Sequence, residues 1–311
     1  MTVTTPINFL FCSEDGRLRP GWRFVIAAVF FVFAEYACAY VVLFFGGGAK
    51  GVDLFEALYR PLLLIFLLAG FSVMVRVFDC NLKNPISAQG LGFSGLWIRD
   101  QLLGLALGVG MIAVAIIAIF LIGAYSLHSL KPPAGQILVV LWILLISAAA
   151  EEVAFRGYPF QRLIEGVGQG RAVFLMSALF GALHLNNPHV SLWGLFNTML
   201  VGVLLSVAYL RTRTLWLPIG IHLGWNTALG FIFGLPVSGL KIFSVAVEGS
   251  AWGPIWLTGG DYGIEASLTG AVVVSAGIVA LLMKPPQKES LIETSSASER
   301  SGIQLSDSPK F

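Results

Sequence analysis

The sequence predicts an all-α, polytopic membrane protein, a bundle of about eight transmembrane helices around a polar cavity. Three observations carry that prediction. Of 311 residues, 57% are hydrophobic and 12% charged, and the mean hydropathy is +0.83; soluble domains carry about 25% charged residues. The apolar residues fall into runs about 20 long, enough to cross a roughly 30 Å hydrocarbon core. A few ionisable side chains interrupt these runs, and such residues, costly in hydrocarbon, are usually paired or functional.

Taken in order, residues 1–21 read as a short polar segment containing Arg17 and Arg19. The run 22–45 is the first span; it is too long for a cleaved leader and has no small-residue cleavage site, so it is read as retained. Glu35 lies in its middle. The second span covers about 54–77, with Arg60-Pro61 near its start. Residues 79–100 hold Asn84-Pro85, glycines and Trp97, the composition of a loop or of a helix lying on the membrane surface. The third span is 101–124, followed by a loop over 125–135 closed by Pro132-Pro133. The fourth segment, 136 to about 164, contains the charges of Glu151, Glu152 and Arg156 and is broken by Gly166, Gly168 and Gly170. The fifth helix, 171–185, is short and ends at Asn186-Asn187-Pro188, because proline disfavours helix in the residue before it. The sixth is 192–210 and the seventh 215–233; a long Gly- and Trp-rich connection over 234–262 leads to the eighth, 263–283. Residues 284–311 are rich in serine and charge without an apolar period, as in disordered tails.

The basic residues orient this layout. With the N-terminus inside, the inner segments carry Arg17, Arg19, Arg23, Arg76, Lys83, Arg99, Arg162, Arg171, Arg211, Arg213, Lys284, Lys288, Arg300 and Lys310. The outer ones carry Lys50, Arg60, Lys131 and Lys241. That is the positive-inside pattern, and it puts both termini in the cytoplasm; the plasma (inner) membrane of a prokaryote is the expected location. Cys12, Cys38 and Cys80 have no metal or disulfide spacing. A formal charge of +2 with no basic patch and no phosphate loop gives nucleic acid and nucleotides no support as partners.

Three helices then offer polar groups. Glu152 and Arg156 are i and i+4 on one face of the fourth helix. Glu151 is rotated by about 100° from Glu152, which suits Glu152 to pair with Arg156 and leaves Glu151 free to point into a cavity. The fifth helix carries Phe180 and His184, and the seventh carries His222 and Asn226, again i and i+4. Counted from the nearest inner arginine at 1.5 Å per residue, Glu151, His184 and His222 lie roughly 17, 20 and 14 Å deep. Such a glutamate is a candidate general base for water. Two readings follow for the rest. Glu151, His184 and His222 hold a divalent metal with an open position for water, as in catalytic zinc sites; or a histidine helps Glu151 hold the water while His222 and Asn226 donate hydrogen bonds to an oxyanion. Both give peptide or amide hydrolysis. No His-Glu-x-x-His and no Gly-x-Ser-x-Gly pattern is present, and Ser177 and Ser206 have nothing that marks a nucleophile.

Glu151-Glu152-x-x-x-Arg156, Phe180-x-x-x-His184 and His222-x-x-x-Asn226, in this order on successive apolar helices, resemble the three signature motifs of the CPBP intramembrane proteases. That family includes the Rce1-like CAAX prenyl endopeptidases and the Abi, bacteriocin-processing proteins. The resemblance covers roughly residues 136–233, the motif core of a membrane domain over 22–283. It implies an eight-span helical core with a catalytic cavity within the membrane. It implies that Glu151 activates water with the help of His184, and that His222 and Asn226 complete the site as metal ligands or oxyanion donors, with Glu152 and Arg156 supporting it. The cofactor implied is a divalent metal such as zinc, or none, since the family has been described both ways. The partners implied are membrane lipid and a membrane-associated peptide or protein, either a prenylated CAAX-type end or a leader or bacteriocin-like peptide. Two competing readings are a non-catalytic membrane scaffold or immunity protein and a proton-coupled transporter with a midplane site; the lack of an internal repeat counts against the latter. Glu35 is expected to pair with Arg60 or another helix, or to line the cavity. Asn187 is expected in a helix-ending turn or at the cavity mouth, Phe180 and Trp225 in packing, and His128 and His189 in solvent.

Overall fold

The computed structural model describes residues 11–13, 17–45, 52–79, 84–93, 95–129, 134–241 and 246–283. The expected tail, together with Lys50, Cys80, Lys83 and Lys131, lies outside them. The helices are α1 (Pro20–Phe45), α2 (Val52–Phe78), α3 (Trp97–Leu121), α4 (Ala134–Arg156), α5 (Tyr158–Val167), α6 (Gln169–Leu183), α7 (Leu192–Thr212), α8 (Trp216–Asn226), the single turn α9 (Ile255–Thr258) and α10 (Leu268–Met283). Among the described residues five stretches are long and apolar enough to cross a membrane: Pro20–Phe45, Leu54–Phe78, Trp97–Leu121, Gly135–Val167 and Leu192–Thr212. The shorter α6, α8 and α10 occupy the three remaining places expected of a helical bundle. The all-α membrane architecture therefore holds, with eight as an approximate count.

Packing is inverted relative to a soluble bundle. α1 buries Arg23, Ala27, Ala34, Cys38 and Val42, a narrow stripe of mostly small residues, and turns Val29, Phe33, Tyr36 and Phe44 outward. Helices in lipid gain little from burying leucine against leucine, so close approach of small residues holds them together. The tightest case is α3 against α8. A Cβ on Gly104 would lie 2.4 Å from the Leu217 carbonyl oxygen, and one on Gly108 would lie 2.3 Å from that of Ile221. From the other side, a Cβ on Gly220 would meet the Gln101 carbonyl at 2.4 Å, and one on Gly224 the Leu105 carbonyl at 2.3 Å. Each helix thus presents two glycines four residues apart to the backbone of the other. On α8, His222 and Asn226 are two residues on from those glycines, about 200° around the axis. Seating the glycines on α3 turns His222 and Asn226 the other way, into the bundle.

Three local features differ from the expectation. The fourth segment is not one helix. It breaks at Gly157, where a Cβ would sit 2.4 Å from the Val153 carbonyl oxygen, and Pro159 in the first turn of α5 restarts it. The seventh segment changes after Asn226 into a π-helical turn, Thr227–Ile232; such turns frequently occur at functional sites. The two loops expected around 125–135 and 234–262 contain strands: β1 (Tyr125–Ser129) pairs antiparallel with β2 (Val247–Ala251). The Tyr125 hydroxyl donates to the Phe233 carbonyl at 2.7 Å, tying this ribbon to the end of the π turn. Burial pushes that phenol up to about 12, so it remains a donor. The eighth helix starts at Leu268, later than expected, because Ile264–Ala266 form a 3-10 turn.

The two ends of the bundle differ in kind. At one end Arg23 pairs with Asp79, Arg162 with Asp79 at 2.8 Å and Arg162 with Glu165 at 2.8 Å, joining α1, the end of α2 and α5. At the other end lie the β ribbon and the turns that follow α6 and α8.

Gly224→Ala introduces a Cβ that α3 and α8 can accept only by moving apart. It is expected to cost about 1–3 kcal/mol, as overpacking does, read as a lower unfolding midpoint in detergent. Gly110→Ala, on the exposed face of α3 with nothing within 4 Å of the new Cβ, leaves the midpoint unchanged. Equal stability of the two variants contradicts this packing.

Candidate active site

A cavity of about 570 Å³ lies within the bundle. Glu35 and Tyr36 of α1, Tyr59 and Arg60 of α2, Ser147 and Glu151 of α4, Phe180 and His184 at the end of α6, Thr198 and Leu205 of α7, and His222, Trp225 and Asn226 of α8 line it. Asn187, Ser238 and Glu265 contribute from the connecting segments. All four residues singled out as a catalytic set, Glu151, His184, His222 and Asn226, face this one space.

The adjacent glutamates are separated as their helical angle requires. Glu152 and Arg156 are both fully buried and lie 3.1 Å apart. The Glu151 side chain keeps 27% of its surface exposed, so it is the one that cavity contents can reach. Glu152 has a second duty: its Oε1 is 2.9 Å from Nδ1 of His222. A carboxylate can only accept there, so Nδ1 carries the proton. Nε2 of His222 is left facing Glu151, 3.7 Å from its Oε2. Arg156 donates through Nη2 to the Gly202 carbonyl at 3.0 Å, which binds α4 to α7, and its guanidinium lies 4.7 Å over the Phe180 ring. Phe180 in turn packs against His184 at 4.9 Å between ring centroids. Phe180 is thus a packing residue with a purpose: it spaces the buried cation from the His184 imidazole.

His184 stands at the C-terminal cap of α6. Its Nδ1 is 2.8 Å from the Phe180 carbonyl, an acceptor, so Nδ1–H donates and Nε2 is presented with its lone pair. Among the described residues no group hydrogen-bonds the Asn226 amide, which is half-buried on the cavity wall. As a ligand set, Glu151, His184 and His222 have suitable chemistry, with free Nε2 atoms and a carboxylate behind His222 of the kind that orients metal-bound imidazoles. Among the described residues, however, no three carboxylate, imidazole or thiolate groups converge as a metal site. The arrangement is not a preformed three-donor cage.

Several contributors were not evident from spacing alone. Arg60 reaches the cavity, held by Glu56 at 2.6 Å, with Nη1 3.9 Å from Glu151. Glu35 accepts a hydrogen bond from Tyr59 and lines the cavity, so its partner is the neighbour of Arg60. Glu265 is the largest omission. This buried carboxylate accepts from the Trp225 indole N–H at 2.9 Å and from the backbone N–H and the hydroxyl of Ser238, the latter at 3.0 Å. Trp225, expected only to pack, is therefore a hydrogen-bond donor. Asn187 combines both roles foreseen for it, ending a turn and lining the cavity while its amide donates to the Ser238 carbonyl at 3.0 Å. A lone glutamate at the start of an apolar run has no partner at helical spacing, and nothing local marks Glu265. His128 lies in β1 and His189 in an exposed turn; neither lines the cavity, nor do Ser177 and Ser206.

Comparison with known proteins covers part of this architecture. No curated protein and no solved structure matches the chain. A family model described as type II CAAX prenyl endopeptidase Rce1-like matches residues 133–228. That stretch holds Glu151, Glu152, Arg156, His184, His222 and Asn226, whereas Glu35, Tyr59, Arg60, Ser238 and Glu265 lie outside it. Over residues 133–228 the chain is similar to the Rce1-like CAAX prenyl endopeptidases, which supports a place in that family of membrane proteases.

Proposed function

We propose that this integral membrane protein is an intramembrane endopeptidase in which Glu151 activates the attacking water. The observation that supports this best is the meeting of Glu151 and the free Nε2 of His222 at 3.7 Å on the wall of one cavity. The substrate is a membrane-associated peptide or protein, of the prenylated CAAX type or of the leader-peptide type.

The steps follow from which atoms are free. Water sits between the Glu151 carboxylate and the lone pair on His184 Nε2. Glu151 takes one proton as the water oxygen attacks the scissile carbonyl carbon, and His184 accepts a hydrogen bond from the other hydrogen. The carbonyl oxygen becomes an oxyanion, to which the Asn226 amide N–H donates. His222 acts as an imidazolium between two carboxylates: Nδ1–H donates to Glu152 at 2.9 Å, and Nε2–H, 3.7 Å from Glu151 and not hydrogen-bonded to it, is free to donate to the oxyanion. The tetrahedral intermediate then collapses, the C–N bond breaks, and the proton held on Glu151 passes to the leaving amine. The products are a carboxylate and an amine, and Glu151 is regenerated. Burial of Glu152 and Arg156 in one unit with His222 supplies the rigidity that oxyanion donors need.

Glu151→Gln is expected to lower kcat by about 10²–10⁴-fold, the range of a lost general base, with an unchanged unfolding midpoint; undiminished cleavage of a lipidated peptide would sink the mechanism. Glu152→Ala behaves in the opposite sense. It strands Arg156 in the core and is expected to cost about 3–5 kcal/mol of stability, seen as poor recovery of folded protein. Asn226→Ala is expected to reduce kcat by about 10²–10³-fold with KM little altered, as for other oxyanion donors. Dialysis against a strong chelator leaves turnover intact on this reading. Loss of turnover that zinc restores would instead put a metal on Glu151, His184 and His222.

A further inference from the structure

Glu265 is a buried carboxylate on the cavity wall to which the hydrolytic steps above give no part. It lies in the 3-10 turn before α10, outside the stretch matched by the family model. Three donors reach its two oxygens. Oε2 accepts from the backbone N–H of Ser238 and, at 3.0 Å, from the hydroxyl of the same residue. Oε1 accepts from the indole N–H of Trp225 at 2.9 Å. The backbone beneath this carboxylate is also held: the Asn197 amide of α7 donates at 2.8 Å to the carbonyls of both Glu265 and Ser267.

The segment that holds Oε2 is tightly built. Ser238 stands at φ +48°, in the left-handed region that serine seldom adopts, and Gly239 follows at +85°. A Cβ on Gly239 would run into the Pro188 carbonyl oxygen, and the Gly239 N–H donates to the Tyr262 carbonyl at 2.9 Å. Strained backbone persists where its surroundings over-determine it, and here the Glu265 carboxylate takes both donors of Ser238. The Ser238 carbonyl in turn accepts from the Asn187 amide at 3.0 Å, and the Asn187 backbone N–H donates to the His184 carbonyl at 3.1 Å. Glu265 is therefore a post tied to the turn that carries His184, and its other oxygen is offered to α8.

What it fixes there is Asn226. Among the described residues no group hydrogen-bonds the Asn226 amide, so its backbone alone places it. That backbone lies where α8 gives way to the π turn. Trp225, the residue before it, is buried and has one polar side-chain atom, the donor-only indole nitrogen. The bond from that nitrogen to Glu265 sets the rotation of the chain at this point. α8 is thus pinned by two buried carboxylates, Glu152 at His222 and Glu265 at Trp225. We propose that Glu265 is a positioning residue of the candidate site: acting through Trp225, it holds the Asn226 amide where the oxyanion forms, at a fixed separation from His184. This role rests on the peptidase reading above.

Kinetics on a lipidated fluorogenic peptide separate this role from a merely structural one. Glu265→Gln keeps the shape of the side chain but sets an NH2 group against one of the three donors. It is expected to lower kcat about 10²-fold, the cost of a misplacement of about 1 Å, with KM little altered. In protein that already carries Asn226→Ala, the same substitution is expected to cost less than about threefold, because residues that act as one unit are not additive. Trp225→Phe removes the indole N–H and keeps a buried ring. It is expected to repeat both results, and it carries the test should Glu265→Gln fail to fold. A loss below about threefold in the otherwise wild-type protein, or equal losses with and without the Asn226 amide, overturns the proposal. Wild-type protein that cleaves no lipidated peptide overturns the peptidase reading and this role with it. Wild-type cleavage together with equal losses overturns the role alone.

Discussion

One oxygen atom holds the site together. Oε1 of Glu152 accepts from Arg156 at 3.1 Å and from Nδ1 of His222 at 2.9 Å. α4 and α8 meet at that atom, and Arg156 extends the link to α7 through the Gly202 carbonyl. Ionised groups taken out of water are stable only when paired and hydrogen-bonded. The chain therefore has little freedom here: displacing α8 would leave the buried carboxylate short of its imidazole donor, and displacing α7 would leave the buried guanidinium short of the Gly202 carbonyl. The same constraint frees Glu151. With Glu152 occupied by Arg156 and His222, the neighbouring carboxylate, about 100° around the helix, is not needed for structure and can serve the cavity.

The glycines of α3 and α8 are the second half of this arrangement. An ion pair fixes how a helix is rotated only if its axis is also fixed, and backbone contact at Gly104, Gly108, Gly220 and Gly224 does that. α8 is thus held on one face by packing without side chains and on the opposite face by a hydrogen-bonded imidazole. Its π turn follows directly after Asn226, and Phe233 just beyond it is tied to the β ribbon by the Tyr125 hydroxyl. Residues outside the stretch matched by the family model complete the chamber: Tyr59 and Arg60 from α2, Glu35 from α1, and Ser238 and Glu265 from the far connections. The polar residues of the three helical motifs are concentrated in one segment, and much of the remaining cavity wall is drawn from outside it.

Much of this was legible in the sequence because lipid makes charges conspicuous. Glu151, Glu152, Arg156, His184, His222 and Asn226 are interruptions in apolar runs, and helical spacing alone separates the paired glutamate from the free one. The helices were legible to within a few residues for the same reason. What escaped has a common cause. The β ribbon joins segments more than a hundred residues apart through backbone hydrogen bonds, and Glu265 finds Trp225 at a separation of 40 residues. Neither leaves a periodic trace. Arg60 is expected among the outer charges or as a partner of Glu35; its approach to Glu151 leaves no local trace, because the two come together only when α2 packs on α4. The break at Gly157 was hidden by an apolar pattern that continues through it.

The position of Arg60 bears on how Glu151 works. A cation near a carboxylate attracts its negative charge, the more strongly in a medium less polar than water. A guanidinium in full contact would also occupy the oxygens that must receive a proton. At 3.9 Å from Glu151, with Glu56 closer at 2.6 Å, Arg60 stands between these limits: near enough to favour the charge, and tethered by its own helix so that it does not cap it. Glu56 thereby acts on Glu151 indirectly, by setting how far the cation can advance. The electrostatic surroundings of Glu151 are thus set in part by α2, a helix that carries none of the signature motifs.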